Sequence, residues 1–299
     1  MTIRAEAALL LALAALALVL GVAGGGGGHP SAWGPRVAAR PARRMGFTVR
    51  RPRALPGPVH PATTATPAPA SSTGASIAEI DHGPRTRRWV ALTFDADMTH
   101  PMLARLRAGV QRTWYDAAIV RELHATHTPA TIFLTGLWTE AYAPVVRRLA
   151  HDRLFELENH SVDHSGWLAP CYGLPLVHGA LSKHAEIDAA AATIHAVAGI
   201  RPRYFRFPGG CHDGADLRLV AASGERAVGW DVVSGDAFNP DPTAIVRTVL
   251  DGVRAGSIVI MHIVGAPNAP ATDRALPEII AGLRTRGYRF VTLRRLLGA

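Results

Sequence analysis

The stretch Trp89-Val90-Ala91-Leu92-Thr93-Phe94-Asp95-Ala96-Asp97 decides the fold. An apolar run containing aromatic and β-branched residues reads as a buried strand. It ends abruptly in two carboxylates. Aspartate is common in turns and helix caps, but carboxylates directly after an apolar strand are also well placed for metal binding or base catalysis. Comparable runs follow at Ala130–Leu134, Phe155–Glu158, Tyr204–Phe207, Ala227–Trp230, Ser257–Met261 and Arg289–Thr292. Amphipathic segments near 114–126, 141–151, 181–198, 213–222, 241–254 and 272–286 separate them. Strand–helix alternation implies parallel strands joined by helical crossovers. Seven units in about 210 residues predict an α/β fold, a small distorted (β/α) barrel in preference to an open sheet.

On a barrel, chemistry gathers at the C-terminal ends of the strands, and these ends are polar. Strand three leads into Glu158-Asn159-His160-Ser161-Val162-Asp163-His164, where two histidines four apart on a helical turn would face one way and share a metal. Strand four leads into Arg206-Phe207-Pro208-Gly209-Gly210-Cys211, where the arginine suits a bidentate carboxylate contact. The glycines there permit a tight turn and a close ligand approach. Strand five is followed by Trp230 to Asp236, and strand six by Met261-His262. Each cluster taken singly also reads as ordinary turn chemistry. Jointly, two histidines and a carboxylate make a three-ligand site with an open position, the arrangement of catalytic zinc.

Thr93-Phe94-Asp95, His160-Ser-Val-Asp-His164, Arg206-Phe-Pro-Gly-Gly210, Ser234-Gly-Asp236 and Ile260-Met-His262 together resemble the five ordered motifs of NodB-type polysaccharide deacetylases, carbohydrate esterase family 4. The resemblance implies a distorted barrel and a divalent metal, zinc first and cobalt next. It also implies an acetylated polysaccharide substrate, N-acetylated or in some members O-acetylated. Carried over, Asp95 is the general base, His262 the general acid, and His160 and His164 metal ligands. Arg206 orients Asp95, and Asp236 contacts the acid histidine or the arginine. Pro208, Gly209, Trp230 and Phe238 are the expected substrate contacts. Two positions depart from the pattern. Where the family has a second aspartate that binds metal, this chain has Ala96, with Asp97 next. Three readings follow: a local bulge brings Asp97 to the metal, the two histidines hold it with water, or Asp95 takes the ligand role. Asp97 is the favoured ligand. The family's Asp-Trp is here Asp236-Ala237-Phe238, with Phe238 as a substitute apolar wall.

The chain has 299 residues and a formal net charge of +9. The charge lies in the first 88 residues, where eleven arginines face only Glu6, Glu79 and Asp81; the remaining 21 basic and 20 acidic side chains nearly cancel. Nucleic acid is therefore not an expected partner, because the folded part has no net positive field. A basic tail can lie on anionic membrane or wall polymer, and a linker without a partner reads equally well. The apolar run Ala7 to Val22 has the length of a signal-peptide core and not the roughly 20 residues of a membrane span. Cleavage near Ala23 and an uncleaved anchor both stay open. Residues 1–23 are thus read as signal peptide or anchor, 24–85 as a disordered Pro/Gly/Ala/Arg-rich linker, and 86–299 as the deacetylase-like domain. Export favours a disulfide between the two cysteines, Cys171 and Cys211.

Three rival functions remain at this level. One is a related hydrolase of small amides. Another is a non-catalytic carbohydrate-binding relative with a degenerate metal site, suggested by Ala96. The third is an extracellular adaptor acting through the tail. The segment Met98 to Tyr115 is longer than its motif requires and is expected to shape substrate choice.

Overall fold

The computed structural model describes residues 77–298. The expected signal segment and most of the expected linker lie outside the described residues. The elements in chain order are β1 (Trp89–Ala96), α1 (His100–Arg107), α2 (Ala117–Ala125), β2 (Ala130–Leu134), α3 (Gly136–Ala141), α4 (Ala143–Ala150), β3 (Phe155–Asn159), α5 (Ala180–Ala198), β4 (Tyr204–Phe205), α6 (Gly214–Ala222), β5 (Arg226–Ala227), β6 (Val232–Val233), α7 (Pro242–Gly252), β7 (Ser257–His262), α8 (Thr272–Thr285), β8 (Arg289–Phe290) and α9 (Leu293–Leu297). No helix among the described residues is long and apolar enough to cross a membrane.

The named strands pair in parallel in the order β5-β4-β3-β2-β1-β7-β6, and β8 sits beside the start of β1. β5 and β6, the two ends of this order, do not pair with each other, so the sheet is a curled half-barrel. The expected single strand Ala227–Trp230 is instead two short pieces. Between them the chain bends at Asp231, whose carboxylate accepts from Ser257 Oγ at 2.9 Å and Ile258 N at 2.8 Å.

The gap leaves backbone groups that need partners, and residues 79–83 supply them. Ile80 N donates to Ala227 O at 3.0 Å, Gly229 N donates to Ile80 O at 3.0 Å, and Gly83 N donates to Gly256 O at 2.8 Å. Gly229 leaves room for the Glu79 carboxyl group, whose carbon would stand 2.8 Å from a Cβ there. The expected linker boundary at 85 is therefore corrected. The segment looked like linker because it carries no periodicity of its own; its order comes from a seam made by distant strands.

Period-2 alternation sorts β1 into two sides. Val90, Leu92, Phe94 and Ala96 pack in the cluster beneath the helices, while Ala91 packs inside the half-barrel with Phe133, Tyr204, Val228 and Ile258. The short helix α9 closes the N-terminal end of the interior. Leu293 and Leu296 join the inner cluster, Leu293 N donates to Thr131 Oγ1, and Arg294 N donates to Glu156 Oε2. The segment Met98 to Tyr115 contains α1 and belongs to the core as well as the rim. Met98, Met102, Leu103 and Trp114 are buried, and Trp114 Nε1 donates to Met102 O at 2.9 Å. Its removal would open the core instead of merely reshaping an edge.

A chain starting at residue 86 is expected to melt about 3–8 °C below one starting at 77. It forfeits the seam hydrogen bonds, each contributing about 1 kcal/mol. Thermal unfolding of the two chains checks this, and identical melting points would remove the seam's role.

Candidate active site

The C-terminal end of β1 positions both carboxylates. The parallel register runs unbroken through Asp95↔Phe133 and Ala96↔Leu134, so no bulge is present. An extended strand sends residues two apart to the same side. Thr93, Asp95 and Asp97 therefore share the interior side, and Ala96 points to the outer core with Phe94 and Met98. A carboxylate at 96 would have faced apolar side chains. Asp97 occupies the interior position one pleat further on, which answers the departure at Ala96 without a bulge.

His160 follows β3 and is fully buried. Its Nδ1 lies 2.8 Å from Arg206 O, which fixes that nitrogen as the donor and leaves Nε2 free to ligate. The expected helical turn between the histidines is absent. Instead Ser161 (φ 68°) and His164 (φ 61°) take left-handed backbone conformations that fold the loop back. The ring centroids of His160 and His164 then lie 4.9 Å apart. Asn159 holds this turn: its Oδ1 accepts from Ser161 N at 3.1 Å, and its Nδ2 donates to Ile187 O and to Glu225 Oε1, each at 3.0 Å. Burial pushes the Glu225 carboxyl up to about 8, with Asn159 opposing.

Asp97 Oδ1 lies 3.4 Å from His160 Nε2 and 3.4 Å from His164 Nε2. Asp97 Oδ1 and His160 Nε2 are buried and have no hydrogen-bond partner. Orphaned buried polar atoms are costly. A cation between them would satisfy both, and ligand atoms of Asp97, His160 and His164 lie within 4.8 Å of one another. Two imidazole nitrogens and one carboxylate oxygen suit zinc or a similar divalent transition ion and leave a coordination position open. Burial raises the Asp97 carboxyl, but His164, His160 and His262 outweigh it and hold its pKa below the usual carboxylate range.

Asp95 and Arg206 form the second part of the site. Arg206 is fully buried at the end of β4. Its Nη1 donates to Asp95 Oδ1 at 2.7 Å and to Thr93 Oγ1 at 2.8 Å, and its Nη2 donates to Gly229 O at 3.1 Å. The contact with Asp95 is through one nitrogen, not bidentate as expected, because the rest of the fork serves Thr93 and the seam. Asp95 Oδ2 is left 3.5 Å from His160 Nε2.

His262 and Asp236 form the third part. Asp236 Oδ1 lies 2.8 Å from His262 Nδ1 and accepts from Ser234 Oγ; its Oδ2 accepts from His262 N and Thr272 Oγ1. Asp236 therefore serves the histidine and not the arginine. His262 Nε2 points back to the centre, 3.9 Å from Asp97 Oδ2. Burial disfavours the imidazolium, but Asp236, then Asp97 and Asp95, outweigh it and push the His262 pKa up to about 10.

The remaining expected residues are more dispersed. Pro208 is buried, and Gly209 has φ 61° beside the bonded Cys171 and Cys211. Trp230 packs on Gly210, with the Arg206 guanidinium 5.5 Å from its ring. Phe238 is 73% exposed and left-handed (φ 56°). Sequence reasoning missed Thr93, Asn159, Glu79 and Thr272. Thr93 was accessible from the alternation that places it two before Asp95; Thr272 carried no signal.

A family model described as polysaccharide deacetylase matches residues 82–228. Among curated proteins, the chain is 30% identical over 180 residues to a chitooligosaccharide deacetylase of Sinorhizobium fredii, covering 56% of this chain and 80% of that protein. It is 26% identical to the uncharacterized protein YlxY of Bacillus subtilis over 66% of this chain, and it spans 57% of the length of that relative. Among solved structures, a peptidoglycan N-acetylglucosamine deacetylase, Bc1960, superposes with TM-score 0.62 at 25% identity, covering 74% of this chain and 93% of the other. A pseudoenzyme of the CE4 family from Bacillus anthracis, BA3943, shares the fold with TM-score 0.61 at 21% identity, covering 74% and 69%.

In the metal-free protein, His262 is expected to keep its proton through neutral pH and lose it near pH 10. The stabilisation from its pairing with Asp236 is complete below about 6.5 and is lost as pH rises through the folded value. Imidazole chemical shifts followed by NMR check this, and Asp236→Asn should return the titration toward the ordinary histidine range. A wild-type midpoint near 6.5 would remove the pairing.

Proposed function

The chain belongs to the polysaccharide deacetylase family, and we propose that it removes acetyl groups, N-linked first and O-linked second, from a cell-envelope or extracellular polysaccharide. The observation that carries this reading is the pair of orphaned atoms, Asp97 Oδ1 and His160 Nε2, facing His164 with an acid–base pair on either side. In this reading Asp97, His160 and His164 hold a divalent ion, zinc first and cobalt next. When bound, such an ion lowers the pKa of coordinated water from 15.7 toward about 7 and polarises an acyl carbonyl.

The protein's own groups carry the protons. Asp95 receives one from the attacking water. Arg206 and Thr93 fix its orientation, and Oδ2 is the oxygen left facing the centre. His262 delivers a proton to the departing amine, a step that amides require because a free amide anion is a very poor leaving group. Asp236 fixes Nδ1 of His262, so the proton delivered is the one on Nε2. The charge of Asp236 favours the protonated form of that ring. Gly209 and Trp230, close to Arg206 and the disulfide, remain the proposed sugar contacts, with Pro208 buried behind them and Phe238 exposed. The position of Asp97, 3.4 Å from both histidines, supports the catalytic reading over the non-catalytic one that Ala96 suggested. The Cys171–Cys211 disulfide supports an exported protein, periplasmic, wall-associated or secreted. The basic tail then makes, at most, weak contact with an anionic surface.

Acetate release from N-acetylglucosamine oligomers, peptidoglycan and acetylated xylan, with and without chelator, tests the function. Activity should vanish with chelator and return with zinc. Asp97→Ala and His164→Ala should purify without stoichiometric ion. Asp95→Asn should keep the ion and lose about 10²-fold or more in rate, and His262→Ala about 10²–10⁴-fold. An ion-free wild type without activity on every polymer would refute the reading.

A further inference from the structure

One rim loop is tied down at both ends and at its tip, yet leaves a tyrosine side chain in solvent. Residues 166–177 leave the fold beside His164 and return before α5. Gly166 N donates to Pro175 O at 2.8 Å, and Val177 N donates to Gly166 O at 3.0 Å, so the two ends of the loop are joined. Trp167 anchors the start. It is buried and packs edge-on against Phe207 at 5.1 Å and tilted against Phe205 at 5.4 Å. Leu174 N donates to Cys171 O at 2.8 Å, closing a turn around the tip. The Cys171–Cys211 disulfide then fastens that tip to the turn Pro208–Gly210, which continues the strand end carrying Arg206.

Tyr172 lies at this tip. Its backbone is left-handed (φ 47°), a conformation that costs a non-glycine residue free energy. The side chain is 88% exposed, so burial does not compensate. It leans over Gly209, where an added Cβ would stand 3.1 Å from Tyr172 Cδ2. The neighbouring disulfide and the left-handed backbone fix where this aromatic leaves the chain, and tyrosine offers a large contact area with only two side-chain torsions to freeze on binding. The apolar face of a pyranose ring is its natural complement.

We infer that Tyr172 is a stacking wall for a sugar unit flanking the one deacetylated at the Asp97–His160–His164 centre, and that the Cys171–Cys211 bond sets its position. This rests on the reading of that centre as a polysaccharide deacetylase. The ligand class is a chain of several N-acetylated hexoses, and the wall contributes to a single sugar only weakly.

The test compares wild type, Tyr172→Ala, Tyr172→Phe and the double variant Cys171→Ser/Cys211→Ser. Acetate release is measured on N-acetylglucosamine and its tetramer. For Tyr172→Ala the tetramer KM should rise about ten-fold, the scale of one lost aromatic contact. The kcat and the monosaccharide KM should hold, and Tyr172→Phe should behave as wild type. The double cysteine variant should raise the tetramer KM in the same way. Unchanged tetramer KM in Tyr172→Ala, or a fall in kcat alone, overturns the inference. Calorimetric titration of the tetramer separates this from the reading of the centre. A wild type that binds but releases no acetate refutes the deacetylase while still testing the wall through the loss of binding in Tyr172→Ala. Equal binding by both proteins, or no binding by either, overturns the wall.

Discussion

The buried guanidinium of Arg206 is the interaction on which the rest depends. A charge removed from water must be compensated on every side, and loss of one partner leaves a large penalty. Here the compensation spans the molecule. Asp95 and Thr93 come from β1, while Val228 and Gly229 come from the seam beyond β5. Phe133 of β2 covers the flat face at 3.9 Å. The backbone carbonyl of the same arginine holds His160 in its ligating tautomer. One residue thus ties β1 to the seam, orients Asp95 and, through its backbone carbonyl, orients His160.

Around that cation the site divides two aspartates that differ by a single pleat. Asp95 is hydrogen-bonded by the arginine and keeps one oxygen toward the centre. Asp97 is bonded by nothing on its inner oxygen and faces two imidazoles. Their environments, and not their residue type, distinguish them, and they underlie the proposed division between proton transfer and ion binding. Asp236 extends the same logic on the opposite side: four donors hold it ionised, and its charge in turn holds the proton on His262.

Much of this was legible in the sequence, in uneven measure. The strand ends of β1, β3, β4 and β7 were readable because apolar runs stop at polar residues in one step, and the parallel sheet followed from their alternation with helices. The disulfide was readable from an even cysteine pair in a chain whose N-terminal apolar run reads as an export signal. The histidine pair was identified for the wrong local reason. Spacing of four suggested a helical turn, whereas two left-handed residues and Asn159 bring the rings together. The segment 79–83 read as linker because its partners are Ala227, Gly229 and Gly256, far along the chain.

The sequence by itself determined the alternation of strands with helices and most of the polar residues that follow the strands at the rim. Those follow from local periodicity, which needs no knowledge of neighbours. Only the tertiary structure decided that Asp97 joins the histidines, that Arg206 divides its fork between Asp95 and the seam, and that Asp236 serves His262. Each of these is a choice among partners brought close by the curl of the sheet. Curl arises from the packing of all the strands at once, so no window of the chain contains it.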